Sequence, residues 1–571
     1  MSIPQQLEID GVPTLFARHD GPTLAGLTFR VGQADETLAS RGITHLLEHL
    51  MLHGHGLTDY HYNGSTGVVI TMFHLQGGEE DVVAFLNGVC ASLQALPLHR
   101  LETERQVLRA EESSRRGGIT DSLALWRYGA RGYGLPAYNE LGLPRITGDD
   151  LWRWSQAWFT RQNAVLWVAG ERVPPALKLA LPEGVRRPVP APTSALRGTP
   201  AFFGGDGPNV AYDGIVRRSV AGSALAGVLE RELYRSLRQE DGNSYTAAAA
   251  YEPRGDGYAS VTVVADAVPD KEDAVLGGFV DVLAKLRAGR IEPADLDAVK
   301  AKAEDAMRDP SAAVGRLPAQ AMDLLVGAPL RALDDVRAEL LGLTVADVHA
   351  TALEMLGTGL LRVPGGHEAR WAGFEPAPMW SEHPIEGQRF PSRAGDGPDK
   401  VSLIVGPLGV GIDRPGRPPV AIPFAECAVS LAYPDGGRQL IGNDSLTIRI
   451  EPTVYPVPPA VLAQVDAALA PVTVPQPPRE PGQIPTGEPA AKPRPGGDGI
   501  GLLVGAIVAL VFSVLAICCS GFFTLLVVDD SDPEAHIPLN GFSITVLAVG
   551  YGSVVGLAAL GIYLLRRRNR K

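Results

Sequence analysis

A chain of 571 residues with 45% apolar and 20% charged content is mostly globular, and at roughly 100–200 residues per domain it holds three or four of them. Its net charge of −13, with no basic stripe interleaved with aromatics, excludes nucleic acid as the main partner. Two of the 4 cysteines, Cys518 and Cys519, fall in an apolar C-terminal stretch, and Cys90 and Cys427 stand far apart; that excludes a disulfide framework and points to a reducing compartment.

In chain order, residues 5–15 and 22–33 read as two strands joined by a turn, alternating apolar and polar around Asp10-Gly11 and Asp20-Gly21. The N-terminal MSIPQQLEID has no basic region followed by an apolar core, so no signal peptide is expected there. Gly42 to Gly54, GITHLLEHLMLHG, is Leu-rich with no Pro or Gly between His45 and Met51, which predicts a helix. On a helix His45 and His49 share a face, and Glu48, three residues after His45, shares it too. Two imidazoles so placed can grip one ion, and the carboxylate can reach a water beside it. This H-x-x-E-H array is the inverted zinc-protease motif. The plain alternative is two satisfied histidines on a buried helix; the interposed Glu and a third ligand downstream weigh against it. No spacing recommends His53, His55, His61 or His74 as ligands. Asn63 to Gly77 predicts one more strand, and Glu79 to Leu96 a helix with the stripe Val82, Phe85, Leu86, Val89 and Leu93. His99 to Arg116 reads as a charged helix and Ala164 to Ala169 as a closing strand, giving an α+β domain over residues 1–172.

Residues 173–200, rich in Pro, Arg and small residues, read as a linker. A second α+β domain follows over 201–368, with helices at 221–238, 271–288, 293–308 and 345–356 and strands at 244–251 and 257–265. Its order roughly repeats the first domain. Residues 386–470 form a small β-rich domain closed by a helix over 460–469, which resembles a pleckstrin-homology-like domain without carrying a motif of its own. A Pro-rich tether over 471–498 leads to two charge-free stretches, 499–528 and 541–565, each longer than the ~18–20 apolar residues that span a bilayer. Arg566, Arg567, Arg568, Arg570 and Lys571 follow the second. Basic flanks stay cytoplasmic, so a two-span membrane protein with both termini and the large N-terminal region on the cytoplasmic side is expected. Gly552 and Gly556 form a G-x-x-x-G that suits a helix contact, though small residues are common in such spans.

Two histidines leave a catalytic zinc short of its usual three protein ligands. The segment HRLETERQVLRAEESSRR holds the candidate for another. An H-x-x-E-H followed by a helix with E-x-x-V-x-x-x-E resembles the pitrilysin/insulysin family, which includes the mitochondrial processing peptidases. The resemblance implies one zinc per chain held by His45, His49 and Glu111, with Glu104 two turns earlier on the same helix face helping to hold a ligand or water, and Glu112 pointing elsewhere. Glu111 follows His49 more closely than in the family, and the missing residues fall between Gly56 and Asn63. A second match lies at Leu237 to Tyr245, where Arg238 and Tyr245 fit the family's Arg/Tyr pair while Asn243-Ser244 replaces the usual Leu-Gly. Asn63 and Thr66 resemble the family's N-A-x-T edge strand, with Gly64 at the Ala position; the resemblance implies that a substrate peptide pairs there as an added strand, the alternative being a plain Asn-Gly-Ser turn.

The implied activity is that of a membrane-anchored zinc endopeptidase acting on peptides or unfolded segments. Glu48 takes a proton from water held at the metal and returns it to the leaving amine, while Arg238 and Tyr245 donate to the charge developing on the carbonyl oxygen. Family enzymes enclose peptides between two halves of two such domains each. Residues 1 to about 365 make one half, so the resemblance implies a homodimer in which Arg238 and Tyr245 of one chain complete the zinc site of the other. Two other classes stay open: a catalytically silent scaffold on a peptidase fold, and a membrane adaptor acting through the β-rich domain. An intact His45, Glu48, His49, Glu111, Arg238 and Tyr245 set favours the enzyme.

Overall fold

The computed structural model describes residues 3–54, 61–114, 118–240, 242, 244–268, 270–309, 311–393 and 401–486. The apolar stretches at 499–528 and 541–565 lie outside these, as do the basic C-terminus and the 55–60 segment. Among the described residues no single helix is long and apolar enough to cross a membrane.

The first lobe opens with β1 (Gln5–Ile9), β2 (Val12–Arg18) and β3 (Thr23–Phe29), followed by α1 (Ile43–Leu52). The predicted first strand is thus a hairpin. Asp10 and Gly11 both take positive φ (50° and 78°), the two-residue turn geometry whose twist matches that of paired strands. The single strand expected over 63–77 is likewise two, β4 (His61–Thr66) and β5 (Thr71–Gly77). Then come α2 (Glu79–Gln94), α3 (Leu101–Ser114), α4 (Ile119–Tyr128), α5 (Gly148–Trp158) and β6 (Ala164–Gly170). The strands form one sheet in the order β1-β2-β6-β3-β5-β4, with the fully buried β6 parallel to β2 and antiparallel to β3. Helices α1 and α2 bury Leu46, Leu47, Leu50, Val82, Leu86 and Val89 against one face of it.

Residues 173–200 contain no helix or strand, yet they are a packed strap rather than a loose linker. Leu177, Leu179 and Leu181 are buried in the first core, and the Leu179 amide donates to Asp10.

The second lobe holds β7 (Ala201–Gly204), β8 (Val210–Arg217), α6 (Val220–Leu233) running into a π-helical turn (Tyr234–Glu240), β9 (Ala247–Pro253), β10 (Tyr258–Ala265), α7 (Glu272–Arg287), α8 (Pro293–Arg308), the short α9 (Ala312–Gly315), α10 (Leu317–Val326), α11 (Leu333–Gly342), α12 (Val345–Gly357), β11 (Leu360–Val363) and β12 (Glu375–Pro376). Its sheet order, β12-β7-β11-β8-β10-β9, repeats the first: the closing strand again sits between an early strand to which it is parallel and one to which it is antiparallel. Each lobe lends the other a helix. From the second lobe, α10 packs Leu317, Ala321 and Leu325 onto Val165 and Trp167 of the first sheet. From the first, α4 packs Leu123 and Trp126 onto Phe203, Ala211 and Leu360 of the second.

The third part is two four-stranded sheets and one helix. An antiparallel meander of β13 (Gln388–Pro391), β14 (Ser402–Val405), β15 (Gly409–Asp413) and β16 (Val420–Pro423) leads to a second of β17 (Cys427–Ala432), β18 (Arg438–Gly442) and β19 (Thr447–Ile450). After α13 (Pro459–Leu469), β20 (Thr473–Pro475) joins the second sheet beside β17. The start of the expected tether is therefore folded onto this unit. Arg479 stacks over Tyr433 and pairs with both Asp435 and the buried Glu451. The two described cysteines, Cys90 and Cys427, are buried free thiols pushed by burial up to about 12 and about 11, chemically inert at neutral pH.

Candidate metal centre

Helix α1 is preceded at its N-cap by Gly42, whose φ of 100° is open to glycine and whose added Cβ would sit 2.9 Å from Glu140 Cβ. Leu46, Leu47, Leu50 and Met51 turn into the core, which leaves His45, Glu48 and His49 together on the remaining face. Across from them runs α3, where the buried Leu108 fixes the helix and places Glu104 and Glu111, seven residues apart, toward the histidines. Nε2 of His45 lies 3.8 Å from Glu111 Oε2, and Nε2 of His49 lies 3.7 Å from Glu111 Oε1. Ligand atoms from all three residues fit within 4.8 Å of one another, and this is the one such group of three among the described residues.

That spacing suits an ion. Ligands bonded at the ~2.0–2.2 Å typical of zinc–nitrogen and zinc–oxygen contacts stand roughly 3.3–3.6 Å apart around a tetrahedron. The two imidazole–Glu111 separations are slightly longer than that and beyond direct hydrogen bonds, and the group spans at most 4.8 Å, so binding an ion would draw it inward. The other ring nitrogens explain the aim. Nδ1–H of His45 donates to Glu140 Oε1 at 2.7 Å, and Nδ1 of His49 lies 3.5 Å from Glu104 Oε2, whose other oxygen accepts from Arg100 at 2.9 Å. The hydrogen bond to Glu140 fixes the proton on His45 Nδ1, the Glu104 carboxylate favours the same tautomer of His49 by its charge, and both Nε2 lone pairs are left facing Glu111. Burial by itself would lower the pKa of His45; the Glu140 hydrogen bond and the charges of Glu140, Glu48 and Glu111 outweigh it and raise it.

Glu48 is 4% exposed. Burial raises its pKa, against the opposing pull of His45 and of a 2.6 Å hydrogen bond donated by Thr66 Oγ1 to its Oε2. Thr66 ends β4, the edge strand of the first sheet, which packs along α1. Gly64 of the same strand lies so close that an added Cβ would stand 2.7 Å from Glu48 Oε1 and 2.9 Å from Leu52. Asn63 is exposed on that strand, opposite His74. Glu112 turns away from the ligand group and accepts from the Glu140 amide. His53 meets His99 edge to face with ring centroids 5.8 Å apart, and His55 and the His61 side chain lie outside the described residues.

Arg238 and Tyr245 sit apart from this cluster. Arg238 is exposed on the π-helical turn, its guanidinium over the Tyr234 ring. Tyr245, 66% exposed, precedes β9 by two residues rather than opening the strand. Its amide donates to Asp266, which also takes hydrogen bonds from Ser244 and Thr246; burial would raise this carboxyl, and these bonds hold it below its usual range. No described contact joins either residue to the His45 cluster.

The sequence reading missed Glu140 and Asp266, each a single acidic residue in a loop. Nothing in the spacing marks them, since Glu140 is 95 residues from the histidine it supports.

No family model and no curated protein matches this chain. Solved structures do. A protease from Helicobacter pylori aligns with 64% of this chain and 100% of its own at TM-score 0.56 and 20% identity. The peptidase M16 inactive domain from Pseudomonas fluorescens aligns with 66% of this chain and 100% of its own at TM-score 0.54 and 16% identity. The periplasmic protease PqqL from Escherichia coli aligns with 77% of this chain and 57% of its own at TM-score 0.54 and 13% identity. The fold is that of M16 peptidase-like domains.

Proposed function

We propose that this chain is a zinc-dependent endopeptidase of the pitrilysin type. The observation that supports it most is the convergence of both Nε2 atoms and the Glu111 carboxylate beside a buried Glu48. His45, His49 and Glu111 would hold one zinc ion, which when bound supplies Lewis acidity that activates water and polarises a peptide carbonyl. The chain's own residues do the rest. Glu48, held by Thr66, takes the proton of the attacking water and gives it to the leaving amine; its raised pKa suits both halves of that task. Glu140 and Glu104 keep the two imidazoles in the ligand tautomer. The outer edge of β4 offers backbone groups on which an extended peptide can lie beside Glu48.

Arg238 and Tyr245, exposed and outside the cluster, fit the role of charge-stabilising donors supplied by a second copy of the chain, so the working form proposed is a homodimer. Its place is a membrane, anchored by the apolar stretches at 499–528 and 541–565 with the peptidase part on the cytoplasmic side. The test is cleavage of a mixed peptide library by the full chain, with and without chelator, beside Glu48→Gln. Zinc in both proteins and cleavage by the unsubstituted one alone is the expected result. Zinc in both and cleavage by neither would favour the silent scaffold.

A further inference from the structure

We infer that the β-rich unit is a positioning part of the metal centre: it clamps the 129–145 segment that presents Glu140 to His45. This rests on the reading of His45, His49 and Glu111 as a zinc site. Glu140 is 5% exposed and has one hydrogen bond to a side chain, the 2.7 Å contact with His45; its Oε2 is buried without a hydrogen-bond partner among the described residues. The buried Arg41 guanidinium also lies 3.9 Å from Glu140 Oε1, so the carboxylate is aimed by Arg41 and by the backbone that carries it. Three groups of the first lobe hold that backbone: Glu112 accepts from the Glu140 amide, Arg41 O accepts from the Gly142 amide at 3.1 Å, and Arg41 Nε donates to Leu135 O at 3.1 Å. Arg41 in turn pairs with Glu36 at 3.0 Å, and Glu36 accepts from the amides of Gly42 and Thr44 at the start of α1.

The far side of this scaffold is covered by the β-rich unit. Leu38 and Leu135 are buried against Val429, Leu431, Ile441 and Val474 of its second sheet. The Ala130 amide donates to Asn443 O at 3.0 Å, and Arg145 Nη1 donates to Pro471 O at 2.6 Å. Gly129 approaches so closely that a Cβ there would stand 2.1 Å from Asn443 O. The unit thus presses on both ends of the segment and on the 3₁₀ turn between Glu36 and Arg41. Removing that cover frees the loop to shift, and a carboxylate bound to its imidazole by one hydrogen bond moves with it.

The test uses the full chain and zinc itself. Five proteins are compared: unsubstituted, Glu140→Gln, the interface pair Leu431→Ala/Ile441→Ala, these two combined, and Ile448→Ala, which lies in the β-rich unit's own core away from the interface. Zinc affinity is read by chelator competition and the ligand field by the visible spectrum of the cobalt-substituted protein, with circular dichroism confirming that each folds. Glu140→Gln and the interface pair are expected to weaken zinc about 10–100-fold and to shift the cobalt bands, as loss of an outer partner does. Combining them should weaken it little further, because both act through one carboxylate. Ile448→Ala should leave both readouts unchanged. An interface pair with unaltered zinc affinity beside a weakened Glu140→Gln would overturn the clamp and leave the zinc site standing, and equal weakening by Ile448→Ala would overturn it too. An unsubstituted protein that binds no zinc would sink the metal reading, and the clamp with it.

Discussion

At the residue scale, Glu140 gives His45 a pH signature. The raised pKa means that the metal-free imidazole keeps its proton to higher pH than the ordinary ~6.5, and zinc must displace that proton. In the metal-free protein this contribution to stability is full below about 6.5 and is lost as pH rises through the raised value. Zinc affinity should therefore fall steeply on acidification from a starting point above that of an ordinary histidine, and titrations across pH 6 to 8 should show the affinity of Glu140→Gln, weaker throughout, beginning its decline only at lower pH. Thr66 makes the complementary case. Its hydroxyl lowers the pKa of Glu48, so Thr66→Val should raise it and move the acid limb of the rate profile to higher pH while zinc stays bound. Glu48→Gln itself should cost cleavage about 10²–10⁴-fold, the usual worth of a general base.

The H-x-x-E-H array was legible because it is a helical spacing, local in sequence and dictated by a 3.6-residue turn, whereas Glu111, on a separate helix, was reached only through the resemblance of its E-x-x-V-x-x-x-E segment to the family pattern. Glu140 was not, since a long-range contact leaves no periodic trace.

At the scale of elements, the edge strand is where sequence and structure part. A β-branched run through Val68, Val69 and Ile70 reads as continuous strand, but the chain turns there because Val69 is buried against Tyr128 and Tyr133. Tertiary packing overrides propensity. The consequence is a short β4 that ends on Thr66 beside Glu48. Gly64→Ala, which restores a side chain where the strand touches α1, should push Glu48 aside and lower kcat with zinc content unchanged; unchanged kcat would show that Glu48 and Leu52 yield without cost. The packed strap at 173–200 escaped the sequence for the opposite reason: its Pro-rich composition conceals Leu177, Leu179 and Leu181, which the first core absorbs.

At the scale of the whole molecule, the repeat of two sheets was visible as a repeated order of strands and helices, while the exchange of α4 and α10 between lobes was not, because it is a matter of which surface a helix covers. Arg127 on α4 forms a buried ion pair with Asp213 on β8. Arg127→Ala leaves a buried carboxylate alone and should destabilise the two lobes together by about 3–5 kcal/mol in urea. The dimer is tested by mixing. Arg238→Ala and Glu48→Gln chains, each inactive alone, should regain cleavage together if one chain completes the other's site.

The most direct test of the metal centre is X-ray absorption at the zinc edge on the full chain and on His49→Ala. One zinc per chain, with two imidazole nitrogens and carboxylate oxygen at about 2.0–2.2 Å and most of the signal lost in His49→Ala, is the expected result. Zinc well below one per chain, or a ligand shell that His49→Ala leaves unchanged, would contradict it.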